Sequence, residues 1–233
     1  MAIKDDLENK INSYFKEPYK VEETSIVPDT DYSKLTFGNK GLTAELTFLY
    51  VDIRKSSELH TTYGFADAAR IYQSFHDICV RIINYFNGSI RSFDGDRVMG
   101  IFSGDSKCTN AVKSAMKIRW AVDELLSKQL KSPIKIGCGI DYGKILIIKV
   151  GKGGDDNNKD IVWVGQASNY AAHLSGYGKN SIIISKKTYN KMHASTKWKD
   201  ETSKTENMWT YKNLTLKNGK KIEVYESGWW WKL

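Results

Sequence analysis

Cysteine is scarce in this chain: Cys79, Cys108 and Cys138 are the only three in 233 residues, and they stand far apart and odd in number. That pattern argues against a disulfide framework or a cysteine-based zinc site and points to buried thiols in a reducing compartment, the cytoplasm. No apolar run approaches the roughly 18 residues that a membrane-crossing helix needs. The stretch Met1 to Glu8 has no apolar signal core, so neither a membrane span nor a secretory leader is expected. There is no internal repeat and no long low-complexity segment. A helix-turn-helix, a zinc motif and an RNP-like aromatic strand are all missing, so no nucleic-acid partner is expected.

The length and the 41% hydrophobic content suit one sizeable core with appendages. The formal charge of +8 favours polyanionic ligands, although much of the lysine is spread over what read as solvated faces. Ile3, Leu7, Ile11 and Phe15 lie at helical spacing and predict an amphipathic helix over 1–18, docked or dimer-forming. Residues 19–40 read as an extended connector. From there the pattern predicts strand 44–52, helix 54–86 broken near Gly64, strands 88–93 and 96–102, and helix 106–128. Strands 134–142 and 144–150, joined near Gly143, come next. They are followed by strand 160–164, helix 167–175, strand 181–185, a short helix at 186–193, and a hairpin of strands 208–215 and 221–227 turning at Asn218-Gly219. This order predicts an α+β fold, one sheet with helices on a face. Three segments follow: 1–40 as helix and connector, 41–228 as the main domain, and 229–233 as a tail. Trp229, Trp230 and Trp231 in that tail are expected to pack against the sheet or a sister subunit.

Two places carry chemistry. In Ile90 to Phe102 an Asp94-Gly95 pair separates two strands, a strong hairpin signal, and Asp96 follows directly beside Arg97. In Leu46 to Arg54 an apolar run leads straight into Asp52. Two strand-end carboxylates brought together offer hard oxygen ligands for Mg²⁺ or Mn²⁺ serving phosphates. Asp52 taken alone could equally cap the helix that follows it, and Asp94 reads as a turn residue.

These stretches, with two others, resemble the class III nucleotidyl cyclases over about residues 44–226. The first metal motif stands as Tyr50-Val51-Asp52-Ile53-Arg54-Lys55-Ser56-Ser57 and the second as Gly95-Asp96. A Gly-x-x-x-Asn motif opening a helix stands as Gly165 to Leu174, with Asn169 as its asparagine. A basic residue after a glycine stands in Gly139 to Lys144. The Gly-Gly-Asp/Glu-Glu-Phe hairpin of the related diguanylate cyclases is absent.

The departures from the family pattern are specific. Ser92 stands where purine cyclases commonly place a base-reading Lys, and Val162 where they place Asp or Thr. Tyr50, Phe93 and Trp163 supply aromatic volume instead, though Trp163 reads more simply as a sheet-core residue. The pattern is closest to the bacterial Pycsar pyrimidine cyclases of antiphage defence, which make cyclic UMP or cyclic CMP.

The resemblance implies a ferredoxin-like cyclase sheet and conversion of UTP or CTP to the 3′,5′-cyclic nucleotide and pyrophosphate. A purine cyclase or an inactive nucleotide-binding module stands as the alternative. It implies two divalent cations, Mn²⁺ or Mg²⁺, held by Asp52, the Ile53 backbone carbonyl and Asp96. Asn169 would orient the ribose, and Lys144 with Lys217 or Lys220 would meet the triphosphate. Tyr50, Ser92 and Val162 would border the base. His173 stands where many homodimeric members use Arg, so Arg97 is the candidate for the missing cation; His173 itself reads as a partly buried structural residue. The resemblance finally implies a head-to-tail homodimer, in which the carboxylates of one copy face Asn169 of the other.

Overall fold

The computed structural model describes residues 3–152, 158–216 and 219–233. Its elements, numbered along the chain, are α1 (Ile3–Lys16), β1 (Lys20–Glu23), β2 (Lys40–Ile53), α2 (Leu59–Tyr63), α3 (Phe65–Tyr85), β3 (Gly88–Asp94), β4 (Arg97–Phe102), α4 (Lys107–Ala121), β5 (Ile136–Gly151), β6 (Lys159–Val164), α5 (Gln166–Tyr177), β7 (Ile182–Ser185), α6 (Lys186–Lys191), β8 (Thr210–Thr215) and β9 (Lys221–Ser227). They divide into two compact units, Met1–Glu45 with Lys144–Gly165, and Leu46–Gly143 with Gln166–Leu233.

In the larger unit the strand order is β3-β4-β2-β5-β7-β9-β8. The β3–β4 hairpin turns through two residues, and Gly95 takes φ +57°, a left-handed value that glycine adopts without a Cβ penalty. Helix α3 buries Ala68, Ile71, Phe75, Cys79 and Ile82, spaced at the helical period, and α4 buries Ala111, Val112, Ala115 and Ile118. Both stripes join one apolar cluster with Val51, Val98, Cys138 and Ile140 from the sheet.

The opposite face is built around two missing side chains. Neighbours along a strand point to opposite faces, so Gly137 and Gly139 lie on the face away from Cys138 and Ile140. A Cβ at Gly139 would stand 2.1 Å from the Ala171 carbonyl oxygen and 2.2 Å from the Ser175 nitrogen. Helix α5 therefore packs its backbone onto β5, while its Leu174 meets Ile183 and Val224. The sheet with helices is as expected, and α5 adds a helix over its second face.

In the smaller unit β1 pairs in parallel with the start of β2, from Lys20 opposite Lys40 to Glu23 opposite Thr43, and β5 pairs antiparallel with β6. Strand β1 falls in the stretch expected to be a connector; its pairing depends on a partner some 20 residues away, which local pattern does not reveal. The expected joint at Gly143 is also absent. Gly143 is not among the glycines of positive φ, and β5 runs through it as one strand. Helix α1 buries none of its residues, and Ile3, Leu7, Ile11 and Phe15 are exposed.

The tryptophan tail docks on α4. The buried Arg119 donates to the Trp229 carbonyl at 3.1 Å, the Trp231 N–H donates to the Met116 carbonyl at 3.3 Å, and Lys199 lies 5.4 Å from the Trp229 ring centre.

Candidate active site

The hairpin and β2 set two rows of side chains on the α5 face of the larger unit. Asp52 pairs with Arg97, and Arg97 with Asp94; two residues along, Tyr50 pairs with Met99, and Met99 with Ser92. Side chains opposite one another share a face, so Asp52, Arg97, Tyr50 and Ser92 lie together. An irregularity between Ile90 and Ser92 shifts the register of β3; without it the Ser92 row would be out of step with Tyr50.

Asp52 is buried at 8% exposure. Asp96 sits in the turn just before β4, and its carbonyl accepts from the Ile53 N–H at 3.2 Å. The two carboxyl groups come within hydrogen-bonding reach of one another. Burial lifts the Asp52 carboxyl above the ordinary carboxylate range, and the hydrogen bond and charge of Asp96 lift it further; Arg97 pulls it back. Arg97 Nη2 donates to Asp52 Oδ2 at 3.3 Å, and its Nε is buried without a partner.

A pair of facing carboxylates suits a hard divalent cation. Among the described residues no three acidic, histidine or cysteine side chains gather into one cluster. Mg²⁺-type ions need no such cage: they keep waters and bind through one or two carboxylates plus substrate phosphates. Asp52, Asp96 and the backbone at Ile53 fit that demand.

Tyr50 is fixed at its hydroxyl, 3.3 Å from Ser168 Oγ on α5 and 2.9 Å from Met99 Sδ. Burial raises its pKa, so it stays a neutral phenol. Asn169 is the fourth residue of α5, so it does not cap that helix, and it is exposed. His173, one turn on, is exposed as well, not partly buried as expected.

Lys220 lies in the wall of a cavity of about 360 Å³ with Lys186, Lys187, Gln166, Tyr170 and Asp141. Its ammonium stands 5.4 Å from the centre of the Tyr170 ring. At the cavity floor Asp141 accepts from Ser185 and from the Tyr142 N–H, and burial pushes its carboxyl up to about 6. Lys217 lies outside the described residues. Lys144 and Val162 belong to the smaller unit. There Lys144 pairs with Glu23 at 3.0 Å, and Val162 is 41% exposed on β6 beside the buried Trp163. Sequence reasoning assigned nothing to Arg54, Ser168, Lys187 or Asp141. The alternating Gly137 and Gly139 were the available signal, since glycines inside a strand mark a close approach.

The fold is one that solved adenylyl and guanylyl cyclases share. The adenylyl cyclase CyaB of P. aeruginosa superposes with a TM-score of 0.65 at 20% identity, over 80% of this chain and 95% of that one. The guanylyl cyclase Cya2 superposes with a TM-score of 0.65 at 15% identity, over 82% and 95%. A uridylate cyclase of Xanthomonas perforans is 34% identical over 240 residues, the whole of both chains. Another, from Burkholderia cepacia, is 31% identical over 224 residues, 91% of this chain and 96% of its own. No family model matches the chain. On the two sequence relatives, the chain belongs to the uridylate cyclase family.

Proposed function

We propose that this enzyme cyclises UTP. The ribose 3′-hydroxyl attacks the α-phosphorus, the new P–O bond closes 3′,5′-cyclic UMP, and the bond to the β-phosphate breaks to release pyrophosphate. The observation that carries the reading is the meeting of Asp52 and Asp96 beside Arg97 in a chain of this family. UTP is preferred to CTP because the relatives matched over nearly their whole length are uridylate cyclases; a cytidylate cyclase of Escherichia coli is 22% identical, and this chain spans 56% of its length.

Asp52 and Asp96, with the Ile53 carbonyl, would hold two divalent cations, Mn²⁺ or Mg²⁺, which supply acidification of the attacking hydroxyl and neutralisation of phosphate charge. Arg97 adds a fixed positive charge beside the reacting phosphate. Tyr50, anchored at its hydroxyl, offers a rigid ring for the base to stack on, with Ser92 on the same row. Asn169, exposed on α5, orients the ribose of a site completed by a second copy in a head-to-tail homodimer. Lys220, Lys217 and Lys144 meet the triphosphate, and Lys187 beside Lys220 extends that set. Val162 leaves the base without the polar contact a purine edge takes. Residues 41–228 form the catalytic domain. The resemblance to the antiphage cyclases extends to the setting, second-messenger synthesis in bacterial defence, in the cytoplasm.

Competition among equimolar ATP, GTP, CTP and UTP with Mn²⁺ tests the assignment. Ser92 lacks the reach of a lysine, and Val162 neither donates nor accepts. Pyrimidines are therefore expected to be cyclised at least about 10–100-fold better than purines in kcat/KM, roughly 1.4–2.8 kcal/mol of differential transition-state binding. Tyr50→Ala should lower both the preference and the rate. Cyclic AMP or cyclic GMP as the main product would overturn the pyrimidine assignment, and cyclic CMP would move the substrate to CTP.

A further inference from the structure

Arg54 lies two residues beyond Asp52, just past the end of β2. Its backbone N–H donates to the Lys135 carbonyl at 2.8 Å, which pins it beside the start of β5. Its side chain then turns beneath the C-terminal end of α5. Nη1 reaches the Gly176 carbonyl at 3.4 Å and stands 3.7 Å from Asp52 Oδ2. Nε and Nη2 are buried and have no hydrogen-bond partner.

The space for this guanidinium is kept open by Gly137. A Cβ there would stand 1.5 Å from Arg54 Nη2 and 2.4 Å from the Ser175 carbonyl oxygen. The last carbonyls of a helix carry the negative end of its dipole, so a cation is favoured in this position. Stability alone does not explain the arrangement, because each unpaired buried donor costs about 1–3 kcal/mol. Nor can Nε and Nη2 serve a ligand from where they are, since both are closed off from solvent. What the guanidinium does reach is one oxygen of Asp52. Arg97 Nη2 reaches that same oxygen at 3.3 Å, so both arginines gather on Oδ2.

We propose that Arg54 is a positioning residue for the metal site, an inference that rests on the metal-binding reading of Asp52 given above. It holds Asp52 by Oδ2 and leaves Oδ1 to a divalent cation. The same guanidinium ties that carboxylate to the end of α5, the helix that carries Asn169. One side chain thus sets both the orientation of a metal ligand and the seat of the ribose-binding helix.

Arg54→Lys in the full chain tests this. It keeps the positive charge, but an ammonium on a flexible stem lacks the rigid plane that seats Nη1 between the Gly176 carbonyl and Asp52 Oδ2. Mn²⁺ binding without nucleotide, read by electron paramagnetic resonance, is expected to weaken about 10-fold, as loss of a group that orients a metal ligand does. The thermal midpoint is recorded alongside. In an Asp52→Asn background the same substitution should cost no further Mn²⁺ affinity, because its effect runs through Asp52. Wild-type Mn²⁺ affinity in folded Arg54→Lys, whatever happens to the midpoint, would overturn the proposal. If that variant does not fold, Arg54→Gln, which has no charge to pair with Asp52, carries the same test. Failure of the unmodified chain to bind Mn²⁺, or undiminished binding by Asp52→Asn, would instead defeat the metal reading itself.

Discussion

Replacement of Asp52 or Asp96 by alanine is expected to abolish cyclic nucleotide synthesis and leave the fold intact. The two carboxyl groups meet at the ends of separate strands, and Asp96 makes the Asp52 carboxyl harder to ionise. Such a pair destabilises the empty site, so losing one member relieves repulsion even as Arg97 and Arg54 lose an acceptor. The apolar cluster under α3 and α4 does not depend on either residue. Loss of metal-assisted chemistry, worth several kcal/mol, corresponds to about 10³-fold or more in turnover. Product quantification by mass spectrometry, with circular dichroism and a thermal melt on the same samples, checks both halves. Turnover like that of the unmodified chain in either variant, or full activity in excess EDTA, would contradict the account.

Arg97→Ala is expected to lower turnover on the order of 10²-fold. Arg97 is only partly screened from water, at 34% side-chain exposure, and it makes one hydrogen bond, to Asp52, while its Nε has no partner. Its charge is thus near the reacting centre and only partly engaged. His173, where the family resemblance leads one to expect an arginine, is exposed one turn from Asn169. A large fall in kcat with KM nearly unchanged would mark a transition-state role. A fall in melting temperature with normal kcat would show that Arg97 only buttresses Asp52.

Much of this site was legible because its signals are local. The Asp94-Gly95 step announces a hairpin, and the apolar run before Asp52 announces a strand delivering its last side chains to one end. The register that puts Tyr50 beside Ser92 was not legible, because it depends on an irregularity at Arg91 that no propensity marks. Strand β1 was missed for a similar reason: four exposed residues become a strand only by pairing with β2. Gly143 misled in the other direction, since a glycine between two apolar runs reads as a turn and here lies within a continuous strand. Arg54 escaped because its meaning is tertiary. Only when Gly137 and the end of α5 are brought over it does an unremarkable basic residue become a partly buried guanidinium beside a carboxylate.

In the proposed head-to-tail homodimer each site is assembled from two copies, with Asp52 supplied by one and Asn169 by the other. Mixing inactive Asp52→Ala with inactive Asn169→Ala tests this directly, since a heterodimer of the two contains one intact site. Subunit exchange, followed by affinity tags of two kinds, should be accompanied by recovered synthesis, up to about half the unmodified rate per heterodimer if the two sites act independently. Complete exchange with no recovery would show that Asp52 and Asn169 do not meet across the interface.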